Sequence, residues 1–277
     1  MLLHHRMHRM ENLFIVTGII IIAYLLVALY LYLFQRKILY LPDKKLDPPK
    51  DYGLQGVKTL KLTTKDNITL TAWHYDACGP EQHTIVYFHG NAAHLGDRAY
   101  KFKAFIEKGF NVMAISYRGY GTSQGEPTEE GIYTDARTAI DYLTTTKHIP
   151  SQRLIYYGES LGSGVATQMA LEHPPYLVVL EAPYTSIVNI AKEKYPFIPA
   201  SLLLKDRFET DKKIGHIKTA LLIFHGLEDN VIPPKHGTSL FEIANHPKHL
   251  ILKDTVDHTS FNADELAFEI ENFLSKL

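Results

Sequence analysis

The sequence predicts an α/β fold, a mostly parallel twisted sheet with helices on both faces, and three features carry that expectation. Short apolar runs recur at 84–88, 111–117, 153–157, 177–180, 220–224 and 249–252, each of the kind buried on both sides. Segments with helical spacing separate them at 98–108, 128–143, 161–171 and 239–245. Ahead of these, 57–63 and 68–75 are rich in β-branched and aromatic residues around Lys65, Asp66 and Asn67, and read as an antiparallel hairpin. In such a sheet a site belongs in the loops at the carboxyl ends of the strands.

Composition limits what the fold can serve. With 277 residues, 45% hydrophobic and 21% charged, the chain can bury one large core. Its 29 Lys plus Arg against 30 Asp plus Glu give a net charge of −1, which argues against a nucleic-acid partner, since that requires a basic face. The single cysteine, Cys78, excludes an internal disulfide and a Cys-rich metal site, leaves the redox compartment open, and reads as a loop residue.

The N-terminus differs in kind from the rest. Residues 13–34 carry no charge, and as a helix would be roughly 33 Å long against a hydrocarbon core of about 30 Å. That length, and the lack of a small-x-small cleavage site near 35–40, favour a single-pass membrane anchor over a cleaved signal. Tyr24, Tyr30 and Tyr32 suit such a span. Arg6 and Arg9 flank one end, Arg36, Lys37, Lys44 and Lys45 the other, so the positive-inside rule assigns no side to the domain. His4, His5 and His8 read as part of a solvated tail. The expected organisation is a tail at 1–12, the anchor at 13–34, a linker at 35–51 lifting the domain off the bilayer, and a domain at 52–277. The aromatic and proline-containing stretch 184–218 breaks the strand–helix rhythm and reads as a cap insertion.

The sharpest chemical signal is Gly158, Glu159, Ser160, Leu161, Gly162, directly after a predicted strand and before a predicted helix. In that context G-x-S-x-G is a nucleophile elbow, with small flanking residues where strand and helix approach each other. A serine needs a base, and the base an acid to hold its tautomer; chain order in this fold is Ser, then acid, then His. Asp229 and His258 lie in loops after successive strands and fit those places. Glu228 and Glu181 compete with Asp229, whereas Asp254 and Asp257 read as solvated or as caps of the last helix. For the oxyanion, the His89, Gly90, Asn91, Ala92, Ala93 loop and the start of the helix after Ser160 offer the backbone N–H groups of Asn91 and Leu161. His89 itself reads as a prop for that loop. No cofactor or metal is expected. Gln124 stands where a dinucleotide loop starting at Gly119 would need its third glycine, His246 and His249 lack H-E-x-x-H spacing, and no phosphate-binding Walker loop occurs.

With these residues in hand, the chain from about Phe34 onward resembles the Bem46-like branch of the α/β-hydrolases, single-pass membrane proteins. The resemblance rests on YFHGNAAHLGD at 87–97, SYRGYGTSQGEP at 116–127, GESLG, EAPYTSIVNI and YPFIPASLLLKDRF within 181–208, and HGLEDNVIP. It implies an α/β-hydrolase fold with Ser160 as nucleophile, Asp229 as acid, His258 as base and Asn91 in the oxyanion loop. The family often has glycine just before the histidine, where this chain has Val256 and Asp257. Arg118 in YRGYG reads as a structural tie. The expected activity is hydrolysis of a carboxylic ester or thioester through an acyl-enzyme. Amide or peptide cleavage by the same residues, and a non-catalytic membrane-anchored interaction protein, are the alternatives. The partner is a small-molecule or acyl-chain substrate, with the membrane reached through the N-terminal helix and the oligomeric state open. The apolar residues of 184–218 suit either an acyl chain or packing of the lid.

Overall fold

Apolar runs buried at every position need helices above and below them, and the computed structural model has both. It describes residues 2–79 and 81–277; the side chains of residues 2–6 and 9, His4, His5, Arg6 and Arg9 among them, lie outside that description. Helix α1 (Leu2–Leu39) leads into a two-residue strand, β1 (Leu41–Pro42). Then come β2 (Lys58–Thr63), β3 (Thr69–Tyr75), β4 (Thr84–Phe88), the short β5 (Ala92–Ala93), α2 (Ala99–Glu107) and β6 (Asn111–Ser116). Helix α3 (Glu129–Asp141), β7 (Leu154–Glu159), α4 (Leu161–Glu172) and β8 (Leu177–Glu181) bring the chain to the insertion. That holds α5 (Ile187–Lys194), α6 (Ala200–Leu203) and α7 (Asp211–Ile214), after which β9 (Ala220–Gly226), α8 (Lys235–Ile243), β10 (Lys248–Lys253) and α9 (Ala263–Leu274) close the chain.

Eight strands form one sheet in the order β10–β9–β8–β7–β4–β6–β3–β2. From β10 to β6 they are parallel, and the predicted hairpin, β3 with β2, joins antiparallel at one edge. Every residue of β4, β6, β7, β8 and β9 is buried, as both-faced packing requires. Alternate side chains enter opposite cores. Val86 and Phe88 join Tyr156 and Ile223 under α3 and α4, while Ile85 and Tyr87 join Tyr157 and Leu222 under α2 and α9. This is the α/β-hydrolase arrangement. Asn262 caps α9, accepting from the N–H groups of Asp264 (2.9 Å) and Glu265 (3.1 Å), and Asp254 and Asp257 are exposed. Within the insertion only α5 and α6 overhang the sheet. Helix α7 returns to the body, where Ile214 and Ile217 are buried in the core.

The N-terminal segment is helical beyond the stretch 13–34 and then lies against the domain. One helix runs unbroken to Leu39, and its stretch Met10–Leu39 is long and apolar enough to cross a membrane. The chain beyond Leu39 is docked on the domain. Leu41 N–H donates to Asn91 O (2.9 Å), Asp43 N–H to Ala93 O (3.3 Å) and Gly121 N–H to Asp43 O (2.7 Å), and Tyr40 is only 3% exposed. Residues 43–48 have irregular backbone, but such backbone still carries peptide groups that need partners, and those of residues 91–93 lie beside this segment. Replacing Tyr40 by Ala removes a buried aromatic from this junction and should destabilise the protein by about 3 kcal/mol. For a domain of this size that corresponds to a fall of roughly 6–12 °C in the thermal unfolding midpoint, measurable by scanning calorimetry.

Candidate active site

Strand β7 ends at Glu159 and α4 starts at Leu161, so a single residue turns the chain from one to the other. That residue, Ser160, adopts φ 50° and ψ −114°, a strained conformation that costs about 1–3 kcal/mol in a non-glycine residue. Its N–H donates to Glu181 O at 2.9 Å, which keeps the turn tied to the neighbouring strand. The glycines are required by contact. A Cβ on Gly158 would lie 2.4 Å from Gly162 O, and one on Gly162 only 1.9 Å from Phe88 O. Ser160 is thereby presented at the carboxyl edge of the sheet, at the N-terminus of a twelve-residue helix.

Two loops from β9 and β10 reach the same place. His258 Nε2 is 2.9 Å from Ser160 Oγ, and His258 Nδ1 is 2.8 Å from Asp229 Oδ2. Asp229 Oδ1 accepts from the N–H groups of Val231 and Ile232, both at 2.8 Å, and His225 Nε2 approaches Oδ2 at 3.4 Å. Burial opposes ionisation of Asp229, yet the hydrogen bonds from His225, His258 and Ile232 N–H hold its carboxyl well below the ordinary range. The competing acids lie elsewhere: Glu228 is exposed, and Glu181 is enclosed with Lys101 at 2.5 Å. Two residues before His258, Val256 is buried and its carbonyl accepts from Glu228 N–H (3.1 Å), which fastens the His258 loop to the Asp229 turn.

The loop after β4 is clamped from three directions. Asn91 O accepts from Leu41 N–H (2.9 Å) and Tyr120 Oη–H (2.7 Å), and Asn91 Nδ2 donates to Leu39 O (2.9 Å). Asn91, Ser160 and Leu161 line one cavity of about 250 Å³. His89 is buried, and burial together with the charge of Arg98 lowers its pKa to about 3, so the ring stays neutral. As a neutral ring it bonds Gly90 O through Nδ1 (2.7 Å) and accepts from Tyr117 N–H at Nε2 (3.3 Å), which makes it a loop prop. Arg118 ties helix α3 to the hairpin turn, with Asp135 and Asp66 both at 2.8 Å. Among the described residues, no group of three or more His, Cys, Asp or Glu is placed to hold a metal ion.

Sequence reasoning missed the charged cluster beneath the elbow. Glu159 and Glu181 are paired in register at the ends of β7 and β8, and both are bound by Lys101 Nζ, at 2.8 and 2.5 Å. Arg98 adds a bond to Glu159 (2.8 Å) and a second to Ala92 O (3.0 Å), linking the elbow to the Asn91 loop, while Tyr87 and Tyr157 close the cluster as donors. Burial works against both carboxylates; Lys101 and Arg98 overcome it at Glu159, which is held below the usual range, whereas at Glu181 burial prevails and the pKa rises. Two carboxyl residues ending adjacent buried strands were the available signal, since they demand a cation between them. Lys101→Met leaves Glu181 without a cation and Glu159 with Arg98 alone, and should cost about 3–5 kcal/mol. The unfolding midpoint should fall by roughly 6–20 °C, whereas Lys103→Met on the exposed face of the same helix should leave it nearly unchanged.

Comparison with known proteins agrees with the fold. Residues 79–208 match the family model described as serine aminopeptidase, S33. The α/β hydrolase domain-containing protein WAV2 of Arabidopsis thaliana is 31% identical over 75% of this chain and 75% of its own. Protein bem46 of Schizosaccharomyces pombe is 29% identical over 84% and 82%. In fold, the chain is similar to an esterase of Pyrococcus furiosus, with a TM-score of 0.70 at 19% identity, covering 86% of this chain and 97% of that one. On sequence, this chain belongs to the Bem46-like branch of the α/β-hydrolases.

Proposed function

We propose that this α/β-hydrolase is a membrane-anchored serine hydrolase that cleaves a carboxylic ester or thioester through an acyl-enzyme. The observation that carries the reading is the unbroken line Ser160 Oγ, His258, Asp229, with contacts of 2.9 and 2.8 Å, at the wall of an apolar cavity. Ser160 Oγ attacks the carbonyl carbon while His258 Nε2 takes its proton. The N–H groups of Asn91 and Leu161 receive the developing oxyanion, aided by the N-terminal end of α4. His258 returns the proton to the departing alcohol or thiol. Water then attacks the acyl group with His258 again as base, releasing the acid and restoring Ser160. Asp229 stays ionised and holds Nδ1 protonated, so that Nε2 is the free base.

Cleavage of an amide or peptide is the second reading, favoured by the description of the matching family as serine aminopeptidases. An aminopeptidase must neutralise a substrate ammonium. Among the described residues, the cavity's one lining carboxylate, Asp206, is already paired with Arg36 at 2.8 Å, which favours the ester reading. The N-terminal span, uncharged across 13–34, supports an anchor holding the domain at a bilayer.

Incubating the purified protein with a fluorophosphonate should modify Ser160 and no other serine, as mapped by mass spectrometry. Ser160→Ala should lose that modification and lower ester hydrolysis by roughly 10⁴–10⁶-fold with an unchanged unfolding midpoint, whereas near-normal turnover would sink the assignment. Asp229→Asn should lower kcat by roughly 10⁴-fold, because the amide favours the wrong tautomer of His258. A steady-state comparison of ester and aminoacyl-anilide substrates separates the two readings; faster cleavage of the anilides would select the aminopeptidase.

A further inference from the structure

The cavity beside Ser160 is bounded by more than the domain. Leu31, Ile38 and Leu39 of α1 form one side of it, and Ile190, Ile198 and Leu203 of the cap form the other. At about 250 Å³ it approaches the size of a small-molecule site, roughly 300–1,000 Å³. Helix and cap are fastened together around it. Arg36 binds Asp206 with both prongs (2.8 and 3.2 Å), Gln35 Nε2 donates to Leu203 O (3.1 Å), and Gln35 Oε1 accepts from Lys205 N–H (2.7 Å). Polar atoms of α1 thus bind the cap, while its apolar side chains face the cavity.

The cap also extends along the helix past its charged end. Tyr24 Oη–H donates to Phe197 O at 2.9 Å, and Tyr24 precedes Arg36 by 12 residues, roughly 18 Å of helix. Arg36 and Lys37 mark where a span would meet the headgroups, so the tip of the cap lies beside the apolar part of α1. Its outward side chains match that depth: Phe197 is 86% and Leu202 82% exposed. In water these would be unprotected apolar surface; against hydrocarbon they are solvated.

Resting on the reading of Ser160 as nucleophile and α1 as a span, we propose that α1 and the cap together form an acyl-chain site open to the bilayer. The substrate class is then an acyl ester or thioester whose chain resides in the membrane, and the last turns of α1 are a specificity-determining wall of the site. The chain lies between α1 and α5–α6 with its carbonyl at Ser160 Oγ. Attack forms the Ser160–acyl bond and breaks the bond to the headgroup oxygen or sulfur, which leaves with the proton from His258. Water then releases the fatty acid.

The test uses the full chain in phosphatidylcholine vesicles and a dodecyl fluorophosphonate bearing a terminal diazirine. Ser160 Oγ displaces fluoride, the alkyl chain is held where an acyl chain would lie, and light then joins its end to whatever surrounds it. Cross-links are expected on residues 31–39 and 187–204. Ser160 modified but cross-linked to other parts of the domain overturns the proposal. Absence of modification at Ser160 removes instead the nucleophile reading on which it rests. Ile38→Trp and Leu203→Trp, filling the cavity from opposite walls, should lower the ratio of dodecyl to methyl fluorophosphonate labelling rates by about tenfold or more. Comparing this ratio with that of the unsubstituted protein in the same vesicles cancels partition of the probes into lipid, and an unchanged ratio in both variants contradicts an acyl chain in this cavity.

Discussion

Strand β7 and helix α4 meet with one residue between them, and they can do so only because Gly158 and Gly162 have no side chains. The Phe88 carbonyl occupies the space that a Cβ at Gly162 would need, at 1.9 Å. That contact draws the end of β4 against the start of α4, which brings the Asn91 loop next to Ser160. The same turn fixes Ser160 in a conformation that points its hydroxyl outward, toward the loops of β9 and β10. Geometry at the site therefore depends on backbone proximity more than on any side chain.

Such a turn stores strain, and the surrounding structure must hold it. Below it, Lys101 and Arg98 tie Glu159 to Glu181 and to Ala92 O, so the residue before Ser160, the strand beside it and the oxyanion loop form one unit. Above it, Leu39 and Leu41 fasten the Asn91 loop from the other side. A buried cation between two carboxylates is seldom a large net gain in stability, but removing one member leaves uncompensated charge, so the cluster resists rearrangement. Rigidity of this sort suits a site whose proposed oxyanion donors are backbone groups, since these cannot adjust independently of the fold.

Helix α1 joins two roles that the sequence presents as separate. By composition it is long and apolar enough to cross a membrane, and by contact it is part of the domain, because Gln35 and Arg36 hold the cap and Tyr40, which follows it, is buried in the core. The domain is consequently fixed relative to the helix axis, with the cap's apolar tip alongside the apolar stretch.

Much of this was legible in the residues. Buried strands announce themselves through continuous apolar runs, and G-x-S-x-G between a strand and a helix specifies a turn with few physical alternatives, so fold class and Ser160 can be read from local pattern. Chain order within the fold then pointed to Asp229 and His258, with Glu228 and Glu181 as competitors for the acid. That choice depended on direction: Glu181 ends a strand with its side chain turned down to Lys101, Glu228 faces water, and Asp229 is turned inward by the N–H groups of Val231 and Ile232. Residues 35–51 read as a linker because proline and charge report how a segment bends, never what it rests on. Contacts between residues far apart in the chain, Leu41 with Asn91, Gln35 with Leu203, Lys101 with Glu181, have no local signature, and only the tertiary structure decided them.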